Sequence, residues 1–399
     1  MSQISVIADD WYKAANFLPL GLSPGPSSPK DMDSFLVPFL EELQSLNDGV
    51  PAYDAHTKSV FTLKAHLVLI TGDSPGISKI LHLKGHISKY PCRCCKLKGT
   101  PYNIEYKNKD GNDKSKKQFY FPLAPPTKFP PRFPECEKSI YDECAVYSDG
   151  NQLPLRTQAE YLEHAQASGG TEEDKDADFG VKGVTPFVHL PTFSFPESCP
   201  LDVMHLVSLG FMRDLVGMIS GTYFRDKRVN KALALMQPKE WKALGVDMSK
   251  IGAPASWGRK PRDIQKYVKG FKAEDLSNFL NHYLLPLVFR RVPPRAYRAL
   301  QSLVLFMTMA TSIEITQQEI EEMDRHITHV VHWFYDTFYD LEYQQLPACK
   351  YTIHSLMHLV RDIRNWGPAC YFWQYSQVLS SSSYLIVAGK ILWDPCPRR

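Results

Sequence analysis

Three cysteines crowd into Cys92-Arg93-Cys94-Cys95, between Lys89 and Lys98. Cys92 and Cys95 form a Cys-x-x-Cys knuckle, the spacing that lets two thiolates reach one tetrahedral Zn²⁺ from a tight turn. A single knuckle is half a site, and Cys136 and Cys144, eight positions apart in a loop-like region, do not make the usual second pair. The alternatives are a thiol pair without function or a redox pair, although no thioredoxin-like context surrounds it. His354 and His358 stand at i and i+4 in Tyr351-Thr352-Ile353-His354-Ser355-Leu356-Met357-His358. On one helix both rings would share a face, as helical zinc pairs do. Taken alone, a pair of this kind reads as a semi-buried structural feature. It matters if something else needs two ligands, and the knuckle does.

Two carboxylates deserve the same treatment. Asp73, in Thr71-Gly72-Asp73-Ser74-Pro75-Gly76, stands where an apolar run ends and a helix can begin. A carboxylate held there could bind Mg²⁺ in phosphoryl transfer, while Asp before Ser-Pro-Gly is also a routine turn former or helix cap. Asp202 and His205, in Ser198-Cys199-Pro200-Leu201-Asp202-Val203-Met204-His205, are three residues apart. There the plain reading is a capping Asp with a polar residue in the first turn.

The elements that must position these groups are legible as periodicities. Asp31 to Leu46 places Phe35, Leu36, Phe39, Leu40 and Leu43 at helical spacing, with Asp31 or Asp33 as N-cap. Ser59 to Thr71 reads as one buried strand ending at Gly72. Three helical faces follow: Leu206, Leu209, Met212, Leu215 and Val216; Leu276, Leu280, Tyr283, Leu284 and Leu287; and Ile320, Met323, Ile327, Val330, Val331 and Phe334. Lys107 to Lys117 and Thr171 to Asp178 read as exposed loops. No internal repeat and no Walker, Rossmann or kinase-type glycine motif is present.

Composition excludes the extreme classes. The 399 residues include 46 Lys or Arg against 43 Asp or Glu, a formal charge of +3, and 44% are hydrophobic, ample for a buried core. Any claim of nucleic-acid binding must therefore rest on local clusters. Met1 to Leu18 has no basic n-region, and the longest apolar run, Leu300 to Ile313, is interrupted and too short to span a bilayer. The expectation is a soluble intracellular protein, with nine cysteines too sparse for a disulfide framework.

In order along the chain, a set of short motifs resembles the Tnp2-like transposases of CACTA-type elements, and most closely the fungal Plavaka kind. The series runs from Ser23-Pro24-Gly25-Pro26, Pro29-Lys30-Asp31 and Ser34-Phe35-Leu36-Val37-Pro38 to Thr71-Gly72-Asp73 and Gly85-His86. It continues through Tyr90-Pro91-Cys92-Arg93-Cys94-Cys95 with Gly99, and Tyr120-Phe121-Pro122-Leu123. Pro200 to Leu206, Trp366-Gly367-Pro368 and Phe372-Trp373 close it. The resemblance implies an incomplete α/β core of ribonuclease H-like type with a large, mostly helical insertion, α+β overall. The corresponding division is 1–95 partial core, 96–200 loop-rich insertion, 201–350 helical insertion, 351–375 returning core helix and 376–399 a tail outside the family pattern.

It further implies DDE-type strand transfer, with Asp73 as the second catalytic carboxylate and Mg²⁺ or Mn²⁺ as cofactor in an intact relative. Asp202 and His205 resemble the superfamily's Asp-x-x-His signature, in a structural or supporting role. A more distant similarity, to the recombination-activating recombinase of immune-gene assembly, implies a zinc site of Cys92, Cys95, His354 and His358 that would pin the far end of the insertion against the core. Partners implied are DNA at transposon ends in the nucleus and a further copy of the chain, with no membrane. Lys84, Lys89, Arg93, Lys96 and Lys98 are candidate phosphate contacts. So are three later clusters: Arg225, Lys227 and Arg228; Arg259, Lys260, Arg262, Lys266 and Lys269; and Arg290, Arg291, Arg295 and Arg298.

The departures point to an inactive enzyme. The first catalytic Asp is expected upstream of Ser23, and the slot for the final Glu is Val378. One carboxylate of three cannot hold two bridging ions. The serine run after Gln377 and the Trp393 to Arg399 ending suggest a decayed gene or a reading frame that has entered an intron. The expected function is a transposase-derived, catalytically inactive DDE domain; the alternative is a non-enzymatic, zinc-stabilised module that binds DNA or protein.

Overall fold

Residues 29, 31–107, 111–168, 179–224, 233–375 and 391–393 are described by the computed structural model. The first elements are α1 (Asp33–Asp48), β1 (Val50–Asp54), β2 (Ser59–Leu63), β3 (Ala65–Leu67), α2 (Ser74–Ile80), β4 (Thr100–Lys107), β5 (Asp113–Tyr120), α3 (Glu135–Asp142) and α4 (Gln158–Ala167). Then come α5 (Met212–Ser220), α6 (Pro238–Lys250), α7 (Ile264–Tyr267), α8 (Ala273–Asn278), α9 (Leu284–Val288), α10 (Pro294–Ala310), α11 (Gln317–Phe338), α12 (Tyr351–Leu356), α13 (Leu359–Trp366) and β6 (Ile391–Trp393). These strands pair antiparallel in two-stranded sheets, β1 with β2, β3 with β6 and β4 with β5. Among the described residues no helix is long and apolar enough to cross a membrane.

Two compact units result. The first draws on Met1–Lys96, Leu155–Asp202 and Tyr371–Arg399, the second on Leu97–Pro154 and Val203–Cys370. The stretch 96–200, expected as one loop-rich insertion, is thus divided at Leu155. The Thr171 to Asp178 loop, Arg225, Lys227 and Arg228, and the Val378 slot with its serine run lie outside the described residues.

In the first unit, Leu36, Leu40 and Leu43 of α1 pack with Ile77 and Ile80 of α2, Tyr161 of α4, and Phe187 and Phe195. Asp31 receives the amides of Asp33 and Ser34 at 3.0 and 3.4 Å, so it does the capping work at the start of α1. The single buried strand expected over Ser59–Thr71 is not formed. The Asp54 carboxylate closes a turn by accepting from His56 N at 2.9 Å and Thr57 Oγ1 at 2.6 Å, and β2 folds back on β1. That hairpin is exposed, with Val60 at 70%. Burial begins only at Ala65, where β3 pairs with β6 in the register Ala65↔Trp393.

In the second unit, α11 buries the expected face from Ile320 to Phe334 behind a Thr316/Glu319 capping box. The Leu206/Leu209 face is displaced. Met204–Phe211 is a π-helix that buries Met204, Val207, Ser208 and Phe211 instead. A π-turn carries an extra residue, so the 3.6-residue phase that resumes correctly at Met212, Leu215 and Val216 is wrong before it. Gly210 within this segment lets it approach α12: a Cβ there would stand 2.8 Å from Thr352 Cγ2. Of the Lys107 to Lys117 stretch expected as a loop, Lys107 and residues 113–117 belong to the β4–β5 ribbon, which pairs from Thr100↔Tyr120 to Lys107↔Asp113, while 108–110 lie outside the described residues.

Candidate metal centre

The knuckle is held by hydrogen bonds from its own backbone and from one distant arginine. Cys92, Cys94 and Cys95 are all buried, and the Cys94 amide donates to Cys92 Sγ at 3.3 Å. An N–H directed at sulfur favours negative charge on it, which a metal ligand needs. Arg156, 3% exposed, donates from Nε to the carbonyls of Cys92 at 2.8 Å and Cys95 at 3.0 Å. Its backbone amide donates to Cys94 O at 3.0 Å, and Nη2 donates to Phe179 O at 2.6 Å. Burial lowers the pKa of this guanidinium, while the sulfurs of Cys92, Cys95 and Cys94 oppose the shift. The chain after Phe179 runs so close to Tyr90 that only glycine fits: Gly180 has φ +82°, and a Cβ there would collide with Tyr90 O.

The histidines do not share one uninterrupted helix. α12 ends at Leu356, and His358 stands at the N-cap of α13. Tight turns link them, with Met357 N donating to His354 O and His358 N to Ser355 O. Both rings are buried, and their Nε2 atoms are 3.3 Å apart with the rings edge to face. In a tetrahedral site with metal–nitrogen bonds of 2.0–2.1 Å, two such nitrogens stand about 3.3 Å apart.

Cys92, Cys95, His354 and His358 each offer a ligand atom, and these atoms all lie within 4.8 Å of one another. A relaxed Cys₂His₂ zinc site has sulfur–sulfur and sulfur–nitrogen edges of about 3.8 and 3.6 Å. The set therefore fits a single ion after shifts of about 1 Å or less. Two thiolates and two imidazoles, with burial on every side, suit a structural zinc with no open position for substrate.

The carboxylates have other work. Asp73 is exposed and is the N-cap of α2, its Oδ1 accepting from Gly76 N at 2.7 Å. Among the described residues no group of three or more potential ligands includes it. Asp202 is buried, and its Oδ1 accepts from Gln374 N at 2.9 Å. His205 is half-buried in the first turn of the π-helix.

The basic residues also separate. Arg93 is 3% exposed and donates to Pro200 O at 2.6 Å, which removes it from any phosphate-facing set. Lys96 is paired with Glu160. Lys98 is exposed, and Lys84 and Lys89 are half-buried. Of the later clusters, Arg259 lies against Glu274, Arg262 against Asp275, Lys266 against Asp263, Arg291 against Asp247 and Arg295 against Asp336. Those five cations are thus partly neutralised by neighbouring carboxylates.

Sequence reasoning missed Arg156. Its usable signal was Thr157-x-x-Glu160, a capping box that marks the start of α4 and leaves Arg156 just outside the helix. No curated protein matches the chain. Residues 10–117, the stretch that carries Asp73 and the Cys92–Cys95 knuckle, match the family model described as transposase family tnp2.

Proposed function

We propose that this chain is a transposase-derived domain stabilised by one structural zinc on Cys92, Cys95, His354 and His358, and that it does not cleave DNA. The observation that carries the reading is the convergence of those four buried ligand atoms within 4.8 Å. The family match over residues 10–117 supplies the transposase origin. Within that reading the relatives are CACTA-type elements of the Plavaka kind, the fold descends from a ribonuclease H-like core, and the place of work is the nucleus. Asp73 would be the surviving catalytic carboxylate; its present role as an exposed helix cap supports inactivity.

Two measurements on the purified chain test this. Metal analysis should find zinc at about one per chain, and a supercoiled plasmid incubated with Mg²⁺ or Mn²⁺ should stay intact. Absence of zinc would overturn the metal centre. Metal-dependent nicking that disappears in Asp73→Ala would overturn the inactive reading and restore an enzyme.

A second reading keeps the zinc and makes the chain a binding module for DNA. It is favoured by Lys98, an exposed cation three residues beyond the knuckle. Binding to duplex DNA should then weaken steeply with salt, and Lys98→Ala should reduce the slope.

A further inference from the structure

Arg156 is a buried cation whose guanidinium donates to carbonyl oxygens, those of Cys92, Cys95 and Phe179, rather than to a carboxylate. Isolated buried charges are costly, and the cost is met by hydrogen bonds and nearby opposite charge. Three features tie this arginine to the knuckle. Its Nε bridges the carbonyls of Cys92 and Cys95, the two ligand residues, and its backbone amide holds the carbonyl of Cys94 between them. Its Nη1 is buried without a hydrogen-bond partner, so the guanidinium is not fully satisfied by those contacts. The groups that favour its charge are, in order, Cys92, Cys95 and Cys94, ahead of Glu160.

The residue is also fixed from its own side. Thr157 caps α4, with its Oγ1 accepting from Glu160 N at 3.3 Å while Glu160 Oε2 accepts from Thr157 N at 3.1 Å. That reciprocal box sets the backbone immediately after Arg156. Nη2 is anchored on Phe179 O at 2.6 Å, next to the Gly180 that lies against Tyr90.

We propose that Arg156 is the positioning residue of the zinc knuckle. By gathering the carbonyls of Cys92 and Cys95 on one nitrogen it closes the turn in the shape that presents both sulfurs to one ion. Its charge, held at the carbonyls of both ligand residues, also draws electron density from their sulfurs and makes the metal-bound thiolates poor nucleophiles. This inference rests on the zinc reading of the site.

The test uses the full chain, with zinc affinity read by chelator competition and site geometry read by the absorption of a Co²⁺-substituted protein. Arg156→Lys keeps a charge but cannot bridge the two carbonyls in the same way; Arg156→Gln also removes the charge. Both should bind zinc about 10- to 100-fold more weakly than wild type, the range typical for groups that orient metal ligands. Arg156→Gln should also shift the thiolate-to-Co²⁺ charge-transfer band and speed alkylation of the zinc-loaded cysteines. Unchanged zinc affinity in both variants, with equal loss of stability in zinc-free and zinc-saturated protein, would reduce Arg156 to packing and overturn the proposal.

A measurement on wild type covers variants that do not fold. The Arg156 Nε–H signal should be protected from solvent exchange and should move on zinc binding. A fast-exchanging signal indifferent to zinc would also overturn the proposal. If wild type itself binds no zinc, the zinc reading of the previous section fails instead.

Discussion

Cys94 stands between two proposed ligands and is as buried as they are, at 1% exposure, yet it does not belong to the ligand group. Serine substitution at Cys92, Cys94 and Cys95 in turn therefore separates ligation from burial at neighbouring positions. Structural zinc sites bind with about 10–16 kcal/mol in apparent terms, so each of four ligands carries about 2.5–4 kcal/mol. A serine hydroxyl stays protonated and is a poor substitute for a thiolate. Losing that share corresponds to a roughly 70- to 900-fold rise in the zinc dissociation constant. Cys92→Ser and Cys95→Ser should both show it. Cys94→Ser should bind zinc within about threefold of wild type and lose only about 1–3 kcal/mol of stability from burying a hydroxyl. Chelator competition gives the affinities, and thermal melts with and without zinc give the stabilities. Loss of zinc in Cys94→Ser with retention in Cys95→Ser would refute the ligand assignment, and so would three equal effects.

Three further outcomes follow from packing and ionisation. The buried Tyr161 hydroxyl lies 3.0 Å from Leu81 O and 3.1 Å from Gly183 O, and accepts from Thr185 N at 2.9 Å. Tyr161→Phe keeps the stack on Phe195 but orphans the Thr185 amide, so urea unfolding should show a loss of about 2–4 kcal/mol; a change under about 0.5 would contradict the network. Gly210→Ala should raise helix propensity by about 1 kcal/mol, yet the 2.8 Å approach to Thr352 predicts net destabilisation, and a more stable variant would show that the contact yields. Burial pushes the phenols of Tyr120 and Tyr161 up to about 12 from 10.0. Because the folded pKa is the higher, their contribution is complete below pH 10 and is lost as pH rises to about 12, so ultraviolet titration of native protein should find them protonated until it unfolds.

The parts of the site legible in the sequence were those with short-range spacing. Cys92 and Cys95 are three apart and His354 and His358 four apart, and those intervals define which atoms can converge whatever the larger fold does. The histidine interval survived even though α12 and α13 break between the rings, because tight turns keep them close. Arg156 was not legible because its role is set by carbonyls more than 60 positions away, and an arginine carries no local mark of burial. Periodicity placed α11 correctly and failed at Leu206 and Leu209, where a π-turn shifts the phase. The Ser59–Thr71 strand failed because the Asp54 turn chemistry overrides a continuous apolar pattern. Lysine and arginine counts likewise do not register the carboxylates that the fold brings opposite Arg262, Arg291 and Arg295.

The first unit is built from three separated stretches of chain, and this has a consequence during synthesis. Its second stretch ends at Asp202 and its third begins at Tyr371, so a ribosome must make the intervening segment before the unit can close. At about 5–20 residues per second, those roughly 170 residues take on the order of 10–30 s. Through that interval α1, α2 and α4 are available to chaperones and to proteases, while β3 waits for β6. The nascent chain already carries Cys92 and Cys95 but not His354 and His358, so half of the proposed ligand set emerges well before the other half. Pulse-labelled translation with limited proteolysis should therefore show protection of the first unit arising only after Trp393 has left the exit tunnel, and not in step with its earlier helices.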